Sequence, residues 1–181
     1  MSKVLIVVDM QNDFVTGSLG TQEARNIVPN VLEKIQQYLK DEDGVVIFTR
    51  DTHDRFYKET QEGKHLPIPH CVYGTNGWDI IPELDELAHE HGIIVNKTSF
   101  GDKYWEETFD YRENIAFLGI ESIELVGVCT DICVITNALI LKTIYSETPI
   151  IVDAYCCAGT TPENHKAALQ VMKSCQIKVI E

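Results

Sequence analysis

The chain has 181 residues, a hydrophobic content of 44%, a charged content of 24% and a formal net charge of −13. The composition excludes disordered and fibrous classes of protein. The length fits a single domain over residues 1–181 with a substantial hydrophobic core. The acidic balance argues against a nucleic-acid partner, because phosphate binding needs a basic surface.

Short apolar runs alternate with amphipathic stretches along the whole chain. The runs are typical of strands buried on both faces of a parallel sheet, and the strands are expected at 3–8, 45–49, 93–96, 122–127, 149–153 and 176–180. Helical spacing predicts helices over 24–39, 130–145 and 162–174, the last with Thr161 as its N-cap. This alternation predicts a three-layer α/β/α fold with right-handed crossovers.

The segment 51–78 breaks this rhythm, because it is long, polar, rich in Gly and Pro, and without clear periodicity. Loops of that length inside a compact domain are usually functional. In parallel α/β folds, ligands bind outside the C-terminal ends of the strands. The candidates for function are therefore the residues that follow the predicted strands: Asp9, Asp51, His53, Lys97, the run 129–133, Cys156 and Cys157.

Cys133 is the candidate nucleophile. Residues 126–133 predict a strand, a tight turn and a helix start, which places Cys133 in the first helical turn. There the helix dipole and the free backbone N–H groups favour a thiolate and could hold an oxyanion. The alternative is that Cys133 is a small buried apolar residue, as most free cysteines are.

Asp9 and Lys97 are the candidate partners of Cys133, since each ends a predicted strand. Burial would raise the pKa of Asp9 towards the value of a useful general base. A buried lysine needs a partner, and Lys97 beside Asp9 would have one and would favour the thiolate. Taken alone, Asp9 also fits a turn residue and Lys97 a solvated loop lysine, but together with Cys133 they favour an active site.

The segment 51–78 also carries a candidate metal site. Asp51 and His53 are two residues apart, so an extended backbone would point both side chains to one side. Further ligand-type residues follow in the same segment: Glu59, Glu62, His65 and His70. Imidazole together with carboxylate suits Zn, Fe or Mn. The alternative is a polar loop whose histidines bind nothing.

We expect a cytoplasmic protein with no membrane span. The first three residues run directly into the apolar run 4–8, which is too short for a secretory segment. The most apolar stretch, 125–144, contains Asp131, Asn137 and Lys142, which argues against a membrane span. Without a secretory signal, the six cysteines are expected to be reduced thiols rather than a disulfide framework.

Five stretches form a recognisable set: VVDMQNDF over 7–14, TRDTH over 49–53, PHCV over 69–72 with GT at 74–75, KTSF over 97–100 and GVCTDIC over 127–133. In this order and at these separations they resemble the isochorismatase-like cysteine hydrolases, and within that superfamily the nicotinamidases most closely. The resemblance spans nearly the whole chain, and its paired D-x-Q-x-D-F and G-x-x-T-D-x-C motifs are highly specific.

The resemblance implies a six-stranded parallel sheet flanked by helices and a catalytic triad of Asp9, Lys97 and Cys133. It also implies a cis peptide before Cys129, so that the N–H groups of Cys129 and Cys133 form the oxyanion hole. The implied reaction is hydrolysis of nicotinamide to nicotinate and ammonia. Cys133 would form a thioester, Asp9 would move the protons, and Lys97 would steady the charges.

The resemblance further implies one divalent metal ion near the triad, with Zn expected first and Fe or Mn as alternatives. Asp51, His53 and His70 match the ligand motif. Glu62 fits the spacing of the fourth ligand best, and Glu59 and His65 are its rivals. True isochorismatases lack the cysteine, so Cys133 argues against vinyl-ether hydrolysis.

Substrate contacts are expected from Phe14, Phe100 and Val128, with Tyr104 as a further candidate. Many nicotinamidases carry a tryptophan shortly before the last metal histidine, whereas this chain has HLPIP over 65–69. This departure leaves open a related amidohydrolase that acts on another small amide or a carbamoyl compound. A nucleotide-binding module without catalysis is disfavoured, because the carboxylates after the first strand would repel phosphate. Relatives are often dimers or tetramers, so a homo-oligomer is expected.

Overall fold

The computed structural model describes residues 1–110 and 119–181 of the chain. Six strands form one sheet in the order β3-β2-β1-β4-β5-β6, and every pairing between them is parallel. The strands are β1 Ser2–Val8, β2 Gly44–Asp51, β3 Ile93–Lys97, β4 Ile120–Val128, β5 Ile150–Ala158 and β6 Lys178–Ile180. The predicted six-stranded parallel sheet is confirmed.

Helices connect the strands and cover both faces of the sheet. They are α1 Asn12–Val15, α2 Gln22–Lys40, α3 Gln61–His65, α4 Pro82–Glu90, α5 Trp105–Asp110, α6 Ile135–Ile144 and α7 Pro162–Ser174. A 3₁₀ turn spans Tyr57–Glu59, and one π-helical turn spans Thr130–Val134 and leads directly into α6. Within the described ranges, no helix combines the length and the apolarity that crossing a membrane requires.

Two hydrophobic cores lie on opposite faces of the sheet, as the three-layer prediction requires. Alternate residues of β1 serve the two faces: Val4 and Ile6 pack with α5, α6 and α7, whereas Leu5 and Val7 pack with α2 and α4. This alternation follows from the two-residue period of a strand. Because both faces are covered, β1 reads as one continuous apolar run.

Threonine side chains cap the first turns of α2 and α7. Thr161 Oγ1 accepts a hydrogen bond from Asn164 N at 3.1 Å, which confirms Thr161 as the N-cap of α7. Thr21 caps α2 in the same way through Ala24 N, so α2 begins two residues before its predicted start. The predicted helix 130–145 is instead a π-helical turn followed by α6.

The predicted end of the fifth strand at residue 153 is wrong. β5 continues to Ala158 past an irregularity, since Leu125 pairs with Val152 but Gly127 pairs with Cys157. Asp153 marks this irregularity, because its carboxylate accepts a hydrogen bond from the nearby Tyr155 N at 3.0 Å. Cys156 and Cys157 therefore lie within β5 rather than beyond it.

The segment 51–78 is more ordered than its composition indicated. It contains the 3₁₀ turn and α3, and His53 forms a parallel bridge with Val72. Thr60 caps α3 by accepting a hydrogen bond from Gly63 N at 3.0 Å. This bridge brings residue 72 back beside residue 53, just past the end of β2, so both arms of the segment lie beside the sheet.

The order of the strands fixes where a ligand can bind. From β1 the strand order runs outwards to β2 and β3 on one side and to β4, β5 and β6 on the other, so the gap between β1 and β4 is the switch point of this topology. Asp9 follows β1, and the π-helical turn Thr130–Val134 follows β4. The two motifs that the sequence singled out therefore lie side by side at the switch point.

Candidate active site

Asp9 turns the chain away from β1 and lies completely buried. Its φ of 50° places the backbone in the left-handed region, where few residues other than glycine are found. Thr49 Oγ1 donates a hydrogen bond to Asp9 Oδ1 at 2.6 Å, and Lys97 Nζ lies 2.7 Å from Asp9 Oδ2. Burial raises the pKa of the Asp9 carboxyl, and the charge of Lys97 only partly opposes this effect.

Lys97 is the last residue of β3, and its ammonium group lies in the interior with 3% of the residue exposed. Besides Asp9, it contacts Asp51 Oδ1 at 3.5 Å and donates to Ser99 O at 3.1 Å. Burial alone would lower the pKa of Lys97, but the nearby charges of Asp9, Cys133 and Asp51 outweigh burial and raise it. Lys97 is therefore a fixed cation.

The Cys133 sulfur lies 3.7 Å from Lys97 Nζ, and 6% of the residue is exposed. Burial raises the pKa of the Cys133 thiol, and the carboxylates of Asp9 and Asp51 add to this rise against the opposing charge of Lys97. The resting thiol is therefore protonated and needs a base to become a nucleophile. The structure thus brings together Asp9, Lys97 and Cys133, which come from the ends of three different strands.

The turn that carries Cys133 is held by several independent hydrogen bonds. It follows a cis peptide between Val128 and Cys129, as the resemblance implied. Cys129 O accepts hydrogen bonds from Ile132 N at 3.0 Å and from Val134 N at 3.1 Å. The hydroxyl of Thr130, a fully buried residue, lies 2.8 Å from Nδ1 of His165 on α7. The turn that carries the candidate nucleophile Cys133 is thereby anchored to the helical layer on one face of the sheet.

Four ligand-type side chains meet beside this triad. One ligand atom from each of Asp51, His53, Glu62 and His70 lies within 4.8 Å of every other. His53 Nε2 lies 2.9 Å from Asp51 Oδ2 and 3.6 Å from Glu62 Oε1. His70 Nε2 lies 3.6 Å from Asp51 Oδ2 and 3.7 Å from Glu62 Oε1.

The donor set fits a divalent metal ion. Asp51 Oδ2 lies close to His53 Nε2, yet this buried nitrogen has no hydrogen-bond partner. Two ligand atoms that are both directed at one metal ion have this arrangement. His70 Nδ1 lies 2.9 Å from Ile68 O, which leaves its Nε2 free to coordinate. Burial would raise the pKa of Asp51, but the adjacent imidazoles of His53 and His70 and the charge of Lys97 hold it well below its usual range.

Neighbouring side chains fix the positions of these ligands. The buried Gln11 amide holds both backbone groups of Asp51, since Gln11 Oε1 accepts from Asp51 N at 2.7 Å and Gln11 Nε2 donates to Asp51 O at 2.9 Å. Asp13 Oδ2 accepts a hydrogen bond from Cys71 N at 2.8 Å, directly after His70. The Q and the second D of the first motif therefore secure the ligand segment.

Of the three candidates for the fourth ligand, the structure places Glu62 with the other three. Glu62 is in α3, where the helix turns its side chain towards the two histidines. Glu59 is exposed in the 3₁₀ turn, and the exposed His65 lies with its Nδ1 2.9 Å from Gln61 O at the end of α3.

A cavity of about 380 Å³ opens above Cys133. Cys129 and Cys133 form its floor, and three residues of the candidate metal cluster, Asp51, Glu62 and His70, line one side. Its apolar wall consists of Phe14, Leu19, Leu66, Phe100 and Ile132. Asp9 and Lys97 lie outside this lining, deeper in the protein behind the sulfur.

The expected substrate contacts divide in two. Phe14 and Phe100 line the cavity, and the Phe14 ring centroid lies 5.4 Å from that of His70. Val128 does not line it, because its side chain is 1% exposed and packs into the core that includes α2. A side-chain contact from Val128 therefore finds no support in this placement. Sequence reasoning missed Leu66 and Ile132, since no motif distinguishes a cavity wall from a core position.

The family model described as the isochorismatase domain matches residues 3–181. The chain belongs to the isochorismatase family. Within this family, a nicotinamidase/pyrazinamidase from Mycobacterium tuberculosis is 27% identical over 190 residues, which cover 98% of each chain.

Solved structures of this family share the fold over the full length. The crystal structure of a nicotinamidase from Bacillus subtilis superposes with a TM-score of 0.83 at 27% identity and covers 100% of both chains. A pyrazinamidase from Pyrococcus horikoshii, solved in complex with zinc, has a TM-score of 0.78 at 27% identity and covers 100% of this chain and 99% of its own.

Proposed function

We propose that this isochorismatase-family protein is an amidohydrolase that converts nicotinamide to nicotinate and ammonia through a thioester on Cys133. The observation that carries this proposal is one cavity lined by both the Cys133 sulfur and the ligand residues Asp51, Glu62 and His70. A nucleophile beside a metal centre suits a small amide that also bears a neutral donor atom. The full-length similarity to proteins named nicotinamidase supports the choice of substrate.

In the first half of the reaction, Asp9 acts as the general base. It takes the proton of the Cys133 thiol, and the sulfur attacks the carboxamide carbon while the carbonyl electrons move to the oxygen. Asp9 then gives this proton to the departing nitrogen, the C–N bond breaks and ammonia leaves. The raised pKa of Asp9 suits this exchange, because a carboxyl that binds a proton readily can also return it.

In the second half, water completes the hydrolysis. Asp9 takes a proton from a water molecule, whose oxygen attacks the thioester carbon. The C–S bond breaks, nicotinate leaves, and Cys133 recovers its proton from Asp9. One water is consumed, one carboxylic acid and one ammonia are formed, and the enzyme returns to its starting state.

Lys97 and the N–H groups at the nucleophile turn stabilise the charges of this sequence. Lys97 Nζ contacts both the Asp9 carboxylate and the Cys133 sulfur, so it favours the ionised form of each. We assign the oxyanion hole to the backbone N–H groups of Cys129 and Cys133, which border the cavity floor.

Asp51, His53, Glu62 and His70 would hold one divalent ion, with zinc as the first expectation and iron or manganese as alternatives. The zinc complex of the Pyrococcus horikoshii protein supports zinc. When bound, the ion would supply a Lewis acid that takes a ring nitrogen of the substrate as a ligand.

The apolar wall sets the shape of the substrate. Phe14 and Phe100 offer ring contacts, while Leu66 precedes His70 in the stretch where many nicotinamidases have a tryptophan. An aliphatic wall holds a flat ring less specifically than an indole does. This difference favours, as a second candidate, hydrolysis of another small amide or a carbamoyl compound by the same chemistry.

We further propose that residues 1–181 form one catalytic domain, which the span of the family model supports. Cytoplasmic localisation and assembly into a homo-oligomer remain predictions from the sequence.

The test compares three amides of graded similarity in an ammonia-release assay on purified protein. Nicotinamide should be hydrolysed fastest, benzamide more slowly because it has the same shape without the ring nitrogen, and propionamide slowest. A chelator should abolish the preference for nicotinamide over benzamide. Equal rates for the two aromatic amides, or no hydrolysis of nicotinamide by zinc-loaded protein, would contradict the proposed substrate and favour the second candidate.

A further inference from the structure

Asn137 is a completely buried amide that none of the steps above uses. It lies on α6, four residues after Cys133 and therefore on the same side of the helix. Both polar atoms of its side chain are engaged, and their partners belong to three different segments of the site.

The amide nitrogen of Asn137 is tied to the nucleophile turn. Asn137 Nδ2 donates a hydrogen bond to Cys133 O at 2.8 Å, at the junction of the π-helical turn and α6. This bond fixes the backbone of Cys133 itself. The position of its sulfur relative to Lys97 therefore depends on the Asn137 side chain.

The same side chain also holds the loop that follows β3. Asn137 Nδ2 lies 3.3 Å from Phe100 O, and Asn137 Oδ1 accepts from Asp102 N at 2.9 Å. Asn137 Oδ1 also accepts from the indole Nε1 of Trp105 at 3.0 Å, which links α5 to the same point. The loop 98–104 is thereby pinned to α6 by the amide.

Close packing reinforces this attachment at Gly101. A Cβ atom built there would lie 2.7 Å from Ile140 Cδ1 and 2.8 Å from Thr136 Cγ2, so the loop backbone rests directly on α6. Phe100, the neighbour of Gly101, lines the catalytic cavity and also an adjoining cavity of about 630 Å³ that reaches His53. The position of this loop therefore determines the position of Phe100, which lies between the two cavities.

We propose that Asn137 is a positioning residue that sets the Cys133 sulfur and the Phe100 wall relative to each other. Only an amide can do this at one position, because it offers a donor to two carbonyls and an acceptor to two N–H groups at once. The inference rests on the proposed function for its catalytic consequence, but the geometry of Cys133 can be measured without any amide substrate.

Two substitutions separate the two attachments. Asn137→Leu keeps the approximate volume and removes all four hydrogen bonds. Asn137→Thr keeps the bond to Cys133 O, because a helical threonine can donate to the carbonyl four residues earlier.

Two threonines of the same helical stretch already make this kind of bond: Thr136 donates to Ile132 O at 2.6 Å, and Thr143 donates to Leu139 O at 2.8 Å. The exposed Thr143→Val is the matched control for loss of one such bond.

The first measurement is the rate of alkylation of Cys133 by iodoacetamide, with the exposed Cys175 as the internal reference in peptide mass spectrometry. Asn137→Leu should lower the Cys133-to-Cys175 rate ratio by about fivefold or more, since a displaced sulfur loses the charge of Lys97. Asn137→Thr and Thr143→Val should keep the ratio near that of the wild type. This assay stands even if nicotinamide is not the substrate.

The second measurement is steady-state hydrolysis of the most active amide. Asn137→Leu should lower kcat by about tenfold or more, because small displacements of reacting groups are costly. Asn137→Thr should leave kcat within about twofold and raise KM by about tenfold, because only the Phe100 wall is released.

An unchanged alkylation ratio and unchanged kinetics in folded Asn137→Leu would overturn the proposal, and so would a loss in Asn137→Thr as large as that in Asn137→Leu. If Asn137→Leu does not fold, Asn137→Thr decides alone. A rise in KM at constant kcat then supports the proposal, and an unchanged KM overturns it.

Discussion

Lys97 Nζ lies 2.7 Å from Asp9 Oδ2, and both charged groups are almost completely buried. Bringing two charges into the interior costs desolvation energy that their attraction need not recover, so such a pair is weak evidence for stability. The sulfur of Cys133 lies 3.7 Å from the same ammonium group. The pair is therefore best understood as part of the chemistry at Cys133.

A double-mutant cycle tests this interpretation. Lys97→Met should lower the free energy of unfolding by about 3–5 kcal/mol, because it leaves the Asp9 carboxylate buried without its counter-charge. Adding Asp9→Asn to Lys97→Met should recover part of this loss, since the buried charge is then removed. Chemical denaturation of the wild type, Lys97→Met, Asp9→Asn and the double variant measures the coupling. Additive losses would show that the two groups do not act as a pair.

Substitution of Cys133 should separate activity from stability. Cys133→Ala should abolish amide hydrolysis while lowering the free energy of unfolding by only about 1 kcal/mol, because removing one sulfur leaves a small cavity. Cys157→Ala is the matched control, since Cys157 is also a buried thiol but lies within β5 and outside the catalytic cavity. Turnover retained in Cys133→Ala, or lost equally in Cys157→Ala, would contradict covalent catalysis by Cys133.

The metal site can be tested with two histidines of the same segment. His53→Ala should weaken zinc binding by about a hundredfold or more, because it removes a ligand. His65→Ala should not weaken it, because the structure leaves His65 exposed and outside the ligand cluster. Chelator competition gives the affinities, and elemental analysis gives the metal content. Equal zinc affinity in the two variants would exclude the cluster of Asp51, His53, Glu62 and His70.

Alkaline pH should weaken the fold through a second cluster, away from the active site. Lys34 Nζ lies 2.8 Å from both Glu124 Oε1 and Asp153 Oδ2, and Glu124 Oε2 accepts from the Tyr38 hydroxyl at 2.7 Å. Burial alone would lower the pKa of Lys34, but its bonds to these carboxylates outweigh burial and raise it. The ion pairs of Lys34 stabilise the folded state fully below the ordinary lysine pKa of about 10.4. This stabilisation is lost progressively as the pH rises from there through the higher pKa that Lys34 has in the folded protein.

Unfolding of the wild type and Lys34→Met, measured at about pH 8 and about pH 11, checks this expectation. Lys34→Met should be much less stable than the wild type at the lower pH, and the difference should shrink at the higher pH. Lys40→Met, an exposed lysine on the same helix, is the control and should show no such change. A difference between Lys34→Met and wild type that stays constant with pH would contradict the assigned role of Lys34.

Much of the fold and the position of the site could be predicted because strand ends carry a readable signal. An apolar run that stops at Asp9, or at Lys97, indicates both the strand and the place where its chemistry begins. Parallel topology then requires those ends to share one edge of the sheet. Glu62 could be placed with Asp51 only through the family resemblance, since α3 lies in a segment without periodicity.

The rest depends on tertiary contacts that no local pattern contains. Asn137 looks like an ordinary polar residue in a helix, and its role becomes visible only when loop 98–104 lies against α6. Val128 is predicted as a substrate contact, but the pleat of β4 turns its side chain into the core. The extension of β5 past Asp153 depends on a shift in pairing with β4, which hydrophobicity alone does not encode.

The central claim is that Cys133 carries the acyl group of nicotinamide. Intact-protein and peptide mass spectrometry of acid-quenched protein during turnover of nicotinamide tests it most directly. We expect a nicotinoyl adduct on Cys133 that hydroxylamine removes. The Cys133→Ser variant should show no such thioester adduct. Steady release of ammonia with no adduct on Cys133, combined with retained turnover in Cys133→Ala, would contradict the mechanism.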